Sequence, residues 1–98
     1  MSPKIIHKLR IFFESEPIEK AWLFGSYARG EETAESDVDI LVRYKKNTCL
    51  GLFGISALIE KLELLLEKKV DLVDEDSLYP RVAKTVNAER IQIYERNS

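Results

Sequence analysis

Cysteine and histidine are almost missing from this chain: Cys49 and His7 are the only examples of each among its 98 residues. A lone thiol cannot close an internal disulfide, and without a second cysteine there is no thiolate zinc site. Cys49 therefore reads as a small loop or edge residue. His7 falls on the polar side of a helical pattern, far in sequence from the paired aspartates, and reads as a solvated position. A surplus of positive charge is missing too. The formal net charge is -2 at pH 7, without the basic footprint of a protein built to grip DNA or RNA, so no direct nucleic-acid binding is expected. No apolar run approaches the ~20 residues that cross a bilayer, so no membrane partner is expected. The opening Met1-Ser2-Pro3-Lys4 lacks a secretory signal pattern, which makes a reducing cytoplasm the default setting. Repeats, low-complexity tracts and linkers are absent as well. The length suits one small domain spanning residues 1–98.

What is present suffices for a core: 45% of residues are hydrophobic, beside 33% charged ones. Ser2-Pro3 opens a helix as cap and first helical position. Ile5, Leu9, Phe12 and Phe13 form its apolar stripe, and Pro17 stops it. Ile18 to Phe24 reads as a strand whose Ala-Trp-Leu-Phe end is too apolar for a half-exposed edge, hence a central strand. A short helix closes at Arg29-Gly30, and residues 31–35 form a polar loop. Ser36 to Tyr44 reads as the second strand. Gly51 to Glu67 is the main helix, with Ile55, Ile59, Leu62 and Leu66 as its inner stripe, widened by Leu58 and Leu65. That stripe reads as sheet-packing core. Val70 to Val73 is a third strand. Pro80 to Ala88 is a last helix with Val82, Ala83 and Val86 inward. Ile91 to Tyr94 alternates like a final edge strand, with Tyr94 packed at the sheet edge.

Two stretches carry chemistry. In Trp22-Leu23-Phe24-Gly25-Ser26-Tyr27-Ala28-Arg29-Gly30 an apolar strand runs into Gly-Ser and a short helix. Glycine lets the backbone approach an anion closely, and free N–H groups at a helix start point at it, which suits phosphate. Alone, Gly-Ser is equally an ordinary turn. In Ser36-Asp37-Val38-Asp39-Ile40-Leu41-Val42 two carboxylates alternate along a strand. That spacing puts them on one face while Val38 and Ile40 turn to the core. The plain alternative is the solvent face of an edge strand. Yet aspartate is disfavoured in strands, and like charges side by side repel unless a cation lies between them. Paired carboxylates beside a phosphate cradle point to Mg²⁺ and a nucleoside triphosphate. Asp71 adds a third carboxylate if its strand lies beside the second. Arg29 is open between a phosphate contact and a structural pair with a nearby acid. Asp74, Glu75 and Asp76 read as helix-start and loop groups.

Gly25-Ser26, ten intervening residues, then Asp37-Val38-Asp39, with Val70-Asp71-Leu72-Val73 later, resemble the signature of the DNA polymerase β-like nucleotidyltransferase superfamily. The short length is most similar to its minimal nucleotidyltransferases. The likeness runs from the first helix to the closing strand. It implies an α/β (α+β) nucleotidyltransferase fold, a small mixed sheet of about four strands flanked by helices. It also implies roles. Gly25 and Ser26 would hold the β- and γ-phosphates of ATP, with Arg29 part of the nucleotide-binding motif. Asp37 and Asp39 would bind two Mg²⁺. Asp71 would bind the catalytic metal and help deprotonate an attacking hydroxyl, which displaces pyrophosphate from the α-phosphorus. Many proteins of this kind are antitoxins that transfer AMP from ATP to a tyrosine of a HEPN-domain ribonuclease toxin. The resemblance therefore implies such a toxin as partner. Neutralisation by binding alone, and transfer to a small molecule or an RNA end, are the alternatives. One departure stands out: Glu67-Lys68-Lys69 occupy the helix stop where a glycine is common.

Overall fold

The computed structural model describes residues 1–97. The elements are α1 (Pro3–Glu14), β1 (Ile18–Phe24), α2 (Gly25–Arg29), β2 (Val38–Tyr44), α3 (Gly51–Leu66), β3 (Val70–Asp74), a 3₁₀ turn (Glu75–Ser77), α4 (Pro80–Glu89) and β4 (Ile91–Glu95). The Ser2 hydroxyl accepts the Ile5 N–H at 3.3 Å and Pro3 takes the first helical position, so α1 starts as its sequence requires.

The sheet order is β3-β2-β1-β4. β1 is antiparallel to β2 and β4, while β2 is parallel to β3. The mixed four-stranded sheet expected from the resemblance is therefore present, with the two most apolar strands in the middle and β4 at an edge. The parallel pair needs a long crossover, and α3 supplies it.

The two faces of the sheet differ. On one, Ile18, Ala21, Leu23, Val38, Ile40, Val42 and Val70 are buried with Leu9 and Phe13 of α1 and Leu58 and Leu62 of α3. The centre of the α3 stripe is thus Leu58 and Leu62, and Ile55, Ile59 and Leu66 are its half-buried flanks. Tyr94 is buried against Phe13, ring centroids 5.5 Å apart. Burying a side chain of this size contributes about 1.5–3 kcal/mol. His7 and Cys49 are exposed, as expected.

On the other face Trp22, Leu41 and Val86 form a smaller cluster. The guanidinium groups of Arg43 and Arg90 lie 5.5 and 4.5 Å from the centre of the Trp22 ring, and both bond the Glu75 carboxylate. Burial pushes Glu75 up, but the bonds from Arg90 and Arg43 outweigh it and hold the carboxyl below its usual range. Glu75, expected among helix-start and loop groups, does start the 3₁₀ turn, and it is also a tie between β2 and the end of α4. Val82 corrects another expectation: it is 47% exposed. Only the Val86 turn of α4 sits on the sheet, and Leu78, just ahead of the helix, packs against the Trp22 cluster instead.

The helix stop without glycine has a clear solution. Glu67 itself adopts the left-handed conformation, φ 55°, and its N–H donates to the Glu63 carbonyl at 2.8 Å. Side chains around it fix the turn: the Glu63 carboxylate accepts the Val70 N–H at 3.0 Å, and Lys68 Nζ donates to the Ala34 carbonyl at 3.0 Å. A side chain at a left-handed cap costs about 1 kcal/mol relative to glycine, partly offset by the greater freedom of glycine in the unfolded chain. Glu67→Gly is therefore expected to raise the unfolding free energy by about 0.5–1 kcal/mol in urea titration. A loss of stability would show that the left-handed cap is not what the wild-type residue strains to adopt.

Candidate active site

Strand register assembles the acids. Asp39 and Asp71 are partners in the parallel β2–β3 ladder, and Phe24 is the partner of Asp39 across β1–β2. Val38 and Ile40 are buried in the main core, so strand alternation turns Asp39 to the opposite face, the one that carries Leu41 and Trp22. Asp71 thus joins Asp39, as expected if its strand lay beside the second. Asp37 differs from expectation in one respect. β2 begins at Val38, so Asp37 leads into the strand rather than lying within it. A turn presents it: the Ser36 hydroxyl accepts the Thr33 N–H at 2.9 Å and the Ser36 N–H donates to the Thr33 carbonyl at 3.1 Å.

Gly25 joins the two motifs. Its φ is +68°, and a Cβ at this position would stand 2.2 Å from Asp39 Oδ2. Glycine is needed twice, for the left-handed turn and for the approach of backbone to carboxylate. The turn out of β1 is laid directly on the acid of β2. α2 itself has only five residues, too few for a sizeable helix dipole. An anion here would be held by individual backbone N–H groups and the Ser26 hydroxyl.

Arg29 makes the structural pairing that is one of its two readings, and the pairing does not decide the other. Its Nε donates to Glu31 Oε1 at 2.9 Å and its Nη1 to Glu89 Oε2 at 3.1 Å. Neither glutamate stood out in the sequence. Glu31 lies in what reads as a polar loop. Glu89 is 60 residues away, and no periodicity announces a pairing at that distance.

The electrostatics centre on Asp39. Burial first, then the like charges of Asp71 and Asp37, push the Asp39 carboxyl above its usual range, while Arg29 pulls it the other way. Among the described residues, no group of three His, Cys, Asp or Glu stands close enough together to hold a metal ion. The expected three-carboxylate cluster is therefore an electrostatically coupled set, not a converged cage. Its chemistry still fits a hard cation. All donors are carboxylate oxygens, and a divalent ion would relieve the repulsion among them.

The architecture is thus an α/β domain with a mixed sheet and a glycine turn laid on paired strand acids. Residues 7–98 match the family model described as Polymerase beta, Nucleotidyltransferase, and the chain belongs to that family. A relative from Thermococcus cleftensis, the protein adenylyltransferase MntA, is 43% identical over 76 residues, 78% of this chain and 75% of its own. A relative from Methanocaldococcus jannaschii, provisionally named a protein adenylyltransferase, is 40% identical over 88 residues, 89% of this chain and 87% of its own. Among solved structures, a toxin–antitoxin with AMP-PNP superposes with a TM-score of 0.75 at 28% identity, over 99% of this chain and 76% of that one. The fold alone is shared with a complex of MNT antitoxin and tri-AMPylated Shewanella oneidensis HEPN toxin, at 24% identity and TM-score 0.71, over 98% of this chain and 74% of that one. Among the described residues, no helix is long and apolar enough to cross a membrane.

The raised carboxyl of Asp39 makes a stability prediction with a definite sign. Ionising it opposes folding, so the penalty is present above its folded pKa and fades as pH falls toward the ordinary value of 3.8. Asp39→Asn should melt at a higher temperature than wild type at pH 7 in metal-free buffer, with the gain shrinking in acid. Added Mg²⁺ should raise the melting temperature of wild type only. Thermal melts across pH, with and without Mg²⁺, check both parts; a variant less stable than wild type at neutral pH contradicts the account.

Proposed function

We propose that this chain is the antitoxin of a toxin–antitoxin pair, and that it transfers AMP from ATP to a tyrosine of a HEPN ribonuclease toxin. The observation that carries the reading is the Gly25 turn pressed onto Asp39, with Asp71 beside it in register. That geometry suits a polyphosphate lying over the turn and a divalent ion shared with the acids. The 43% identical protein adenylyltransferase MntA and the 28% identical toxin–antitoxin with AMP-PNP support the choice of donor and partner.

In this reading residues 1–98 work as one minimal nucleotidyltransferase domain in the cytoplasm. Gly25 and Ser26 bind the β- and γ-phosphates through backbone N–H groups and the Ser26 hydroxyl, and Arg29 lends positive charge to the same site. Asp37 and Asp39 would hold two Mg²⁺, with Asp71 contributing to the catalytic one. Bound metal supplies charge neutralisation and polarisation of the phosphoryl oxygens. The rest falls to the chain: it aligns the α-phosphorus with the acceptor hydroxyl, and Asp71 can take the hydroxyl proton as pyrophosphate departs. Asp71 is exposed on the edge strand β3. An edge position leaves room for an acceptor presented by another protein.

The test is a transfer assay with Mg²⁺, α-labelled ATP and the product of the neighbouring gene, read by mass spectrometry. The expected result is AMP on a partner tyrosine, with the rate reduced by about a hundredfold or more in Asp39→Ala. A partner that binds tightly, is neutralised and stays unmodified would replace catalysis with neutralisation by contact.

A further inference from the structure

Arg29 is held in an unusual way for an exposed arginine. Glu31 takes Nε at 2.9 Å, Glu89 takes Nη1 at 3.1 Å, and Nη2 has no hydrogen-bond partner among the described residues. Two carboxylates on adjacent nitrogens fix both the plane and the direction of the guanidinium, which on its own would swing on a long side chain. The far anchor is itself fixed. Glu89 is the last residue of α4. Val86, one turn earlier, is buried against Trp22 and Leu41. Arg90, the next residue, is held over Trp22 and bonded to Glu75. The arginine so fixed ends α2, the five-residue helix that starts at Gly25, whose turn is laid on Asp39. A pair serving stability alone would contribute little at this exposure, 42% for Arg29 and 26% for Glu89.

We propose that Glu89 is a positioning residue of the nucleotide site: from the end of α4 it holds Arg29, together with Glu31, so that the free Nη2 donates to a phosphate oxygen of bound nucleoside triphosphate. The proposal rests on the nucleotide-binding part of the function above. It gives α4, which carries none of the motif residues, a part in substrate binding.

Calorimetric titration of the whole chain with Mg²⁺·AMP-PNP tests it, using wild type, Glu89→Ala, Glu89→Gln, Glu89→Asp, Arg29→Ala and the Arg29→Ala/Glu89→Ala double variant. Glu89→Ala should weaken binding about tenfold, the scale on which removing a supporting partner acts. Arg29→Ala should lose at least as much, and the double variant no more than Arg29→Ala alone, because Glu89 acts through Arg29. Glu89→Asp and Glu89→Gln should recover part of the loss, and the melting temperature of the nucleotide-free protein should barely change. Equal affinity in wild type and Glu89→Ala overturns the proposal. So do additive losses in the double variant, or a loss that follows a fall in melting temperature and is not recovered by Glu89→Gln. Wild type that binds no Mg²⁺·AMP-PNP removes the nucleotide site itself and the proposal with it, a result that the variants are not needed to read.

Discussion

The contact between the Gly25 backbone and the Asp39 carboxylate ties the fold to the site. It follows from register: Phe24 pairs with Asp39 across β1–β2, so the turn leaving β1 must pass over that acid. The register is set in turn by alternation. Ala21 and Leu23 face the same core as Val38, Ile40 and Val42. A slip of one residue on β2 would drive Asp39 into that core and expose Ile40. The hydrophobic pattern that makes the sheet stable is thus the same pattern that lays the Gly25 turn on a carboxylate.

That economy has an electrostatic cost. Asp39 is partly desolvated and faces two like charges, a placement that opposes folding in the absence of a cation. The main core on the opposite face offsets it, with Phe13, Leu9, Ile18, Ile40 and Leu62 fully buried. Keeping the acids on one face and the main core on the other lets both exist within a four-stranded sheet. It also makes ligand binding a source of stability, because anything that neutralises the acids relieves the repulsion.

The sequence revealed local features well because their causes are local. The Ser2-Pro3 cap, the central character of β1, the edge position of β4 and the packing of Tyr94 all follow from neighbouring residues and a repeat of two or 3.6. The pairing of Asp39 with Asp71 was legible only as a condition, since it depends on which strand lies next to β2. What escaped has non-local causes. Glu75 read only as a helix-start or loop group, and its tie escaped because its partners Arg43 and Arg90 come from other elements. Val82 read as core because helical periodicity predicts a stripe but not where the sheet beneath it stops. Asp37 read as a strand residue because alternation continues past the point where β2 begins. Convergence of three carboxylates depends on side-chain directions and on a cation, and neither is written in residue spacing.

In the proposed function, the open face of the sheet lets this 98-residue chain serve both a nucleotide and a second macromolecule. α1 and α3 close one face, whereas α4 covers the other only around Trp22 and Leu41. The Glu75–Arg43–Arg90 tie holds α4 there, and stacking of both guanidinium groups on Trp22 seals the polar group over an apolar floor. Extending α4 over the acids would, in the proposed function, shield the exposed Asp71 from the acceptor. Removing it would expose Trp22 and release Glu89 from Arg29. Its position is a compromise between those two losses, and the same anchoring by Trp22 that stabilises the open face fixes the carboxylate that steadies Arg29.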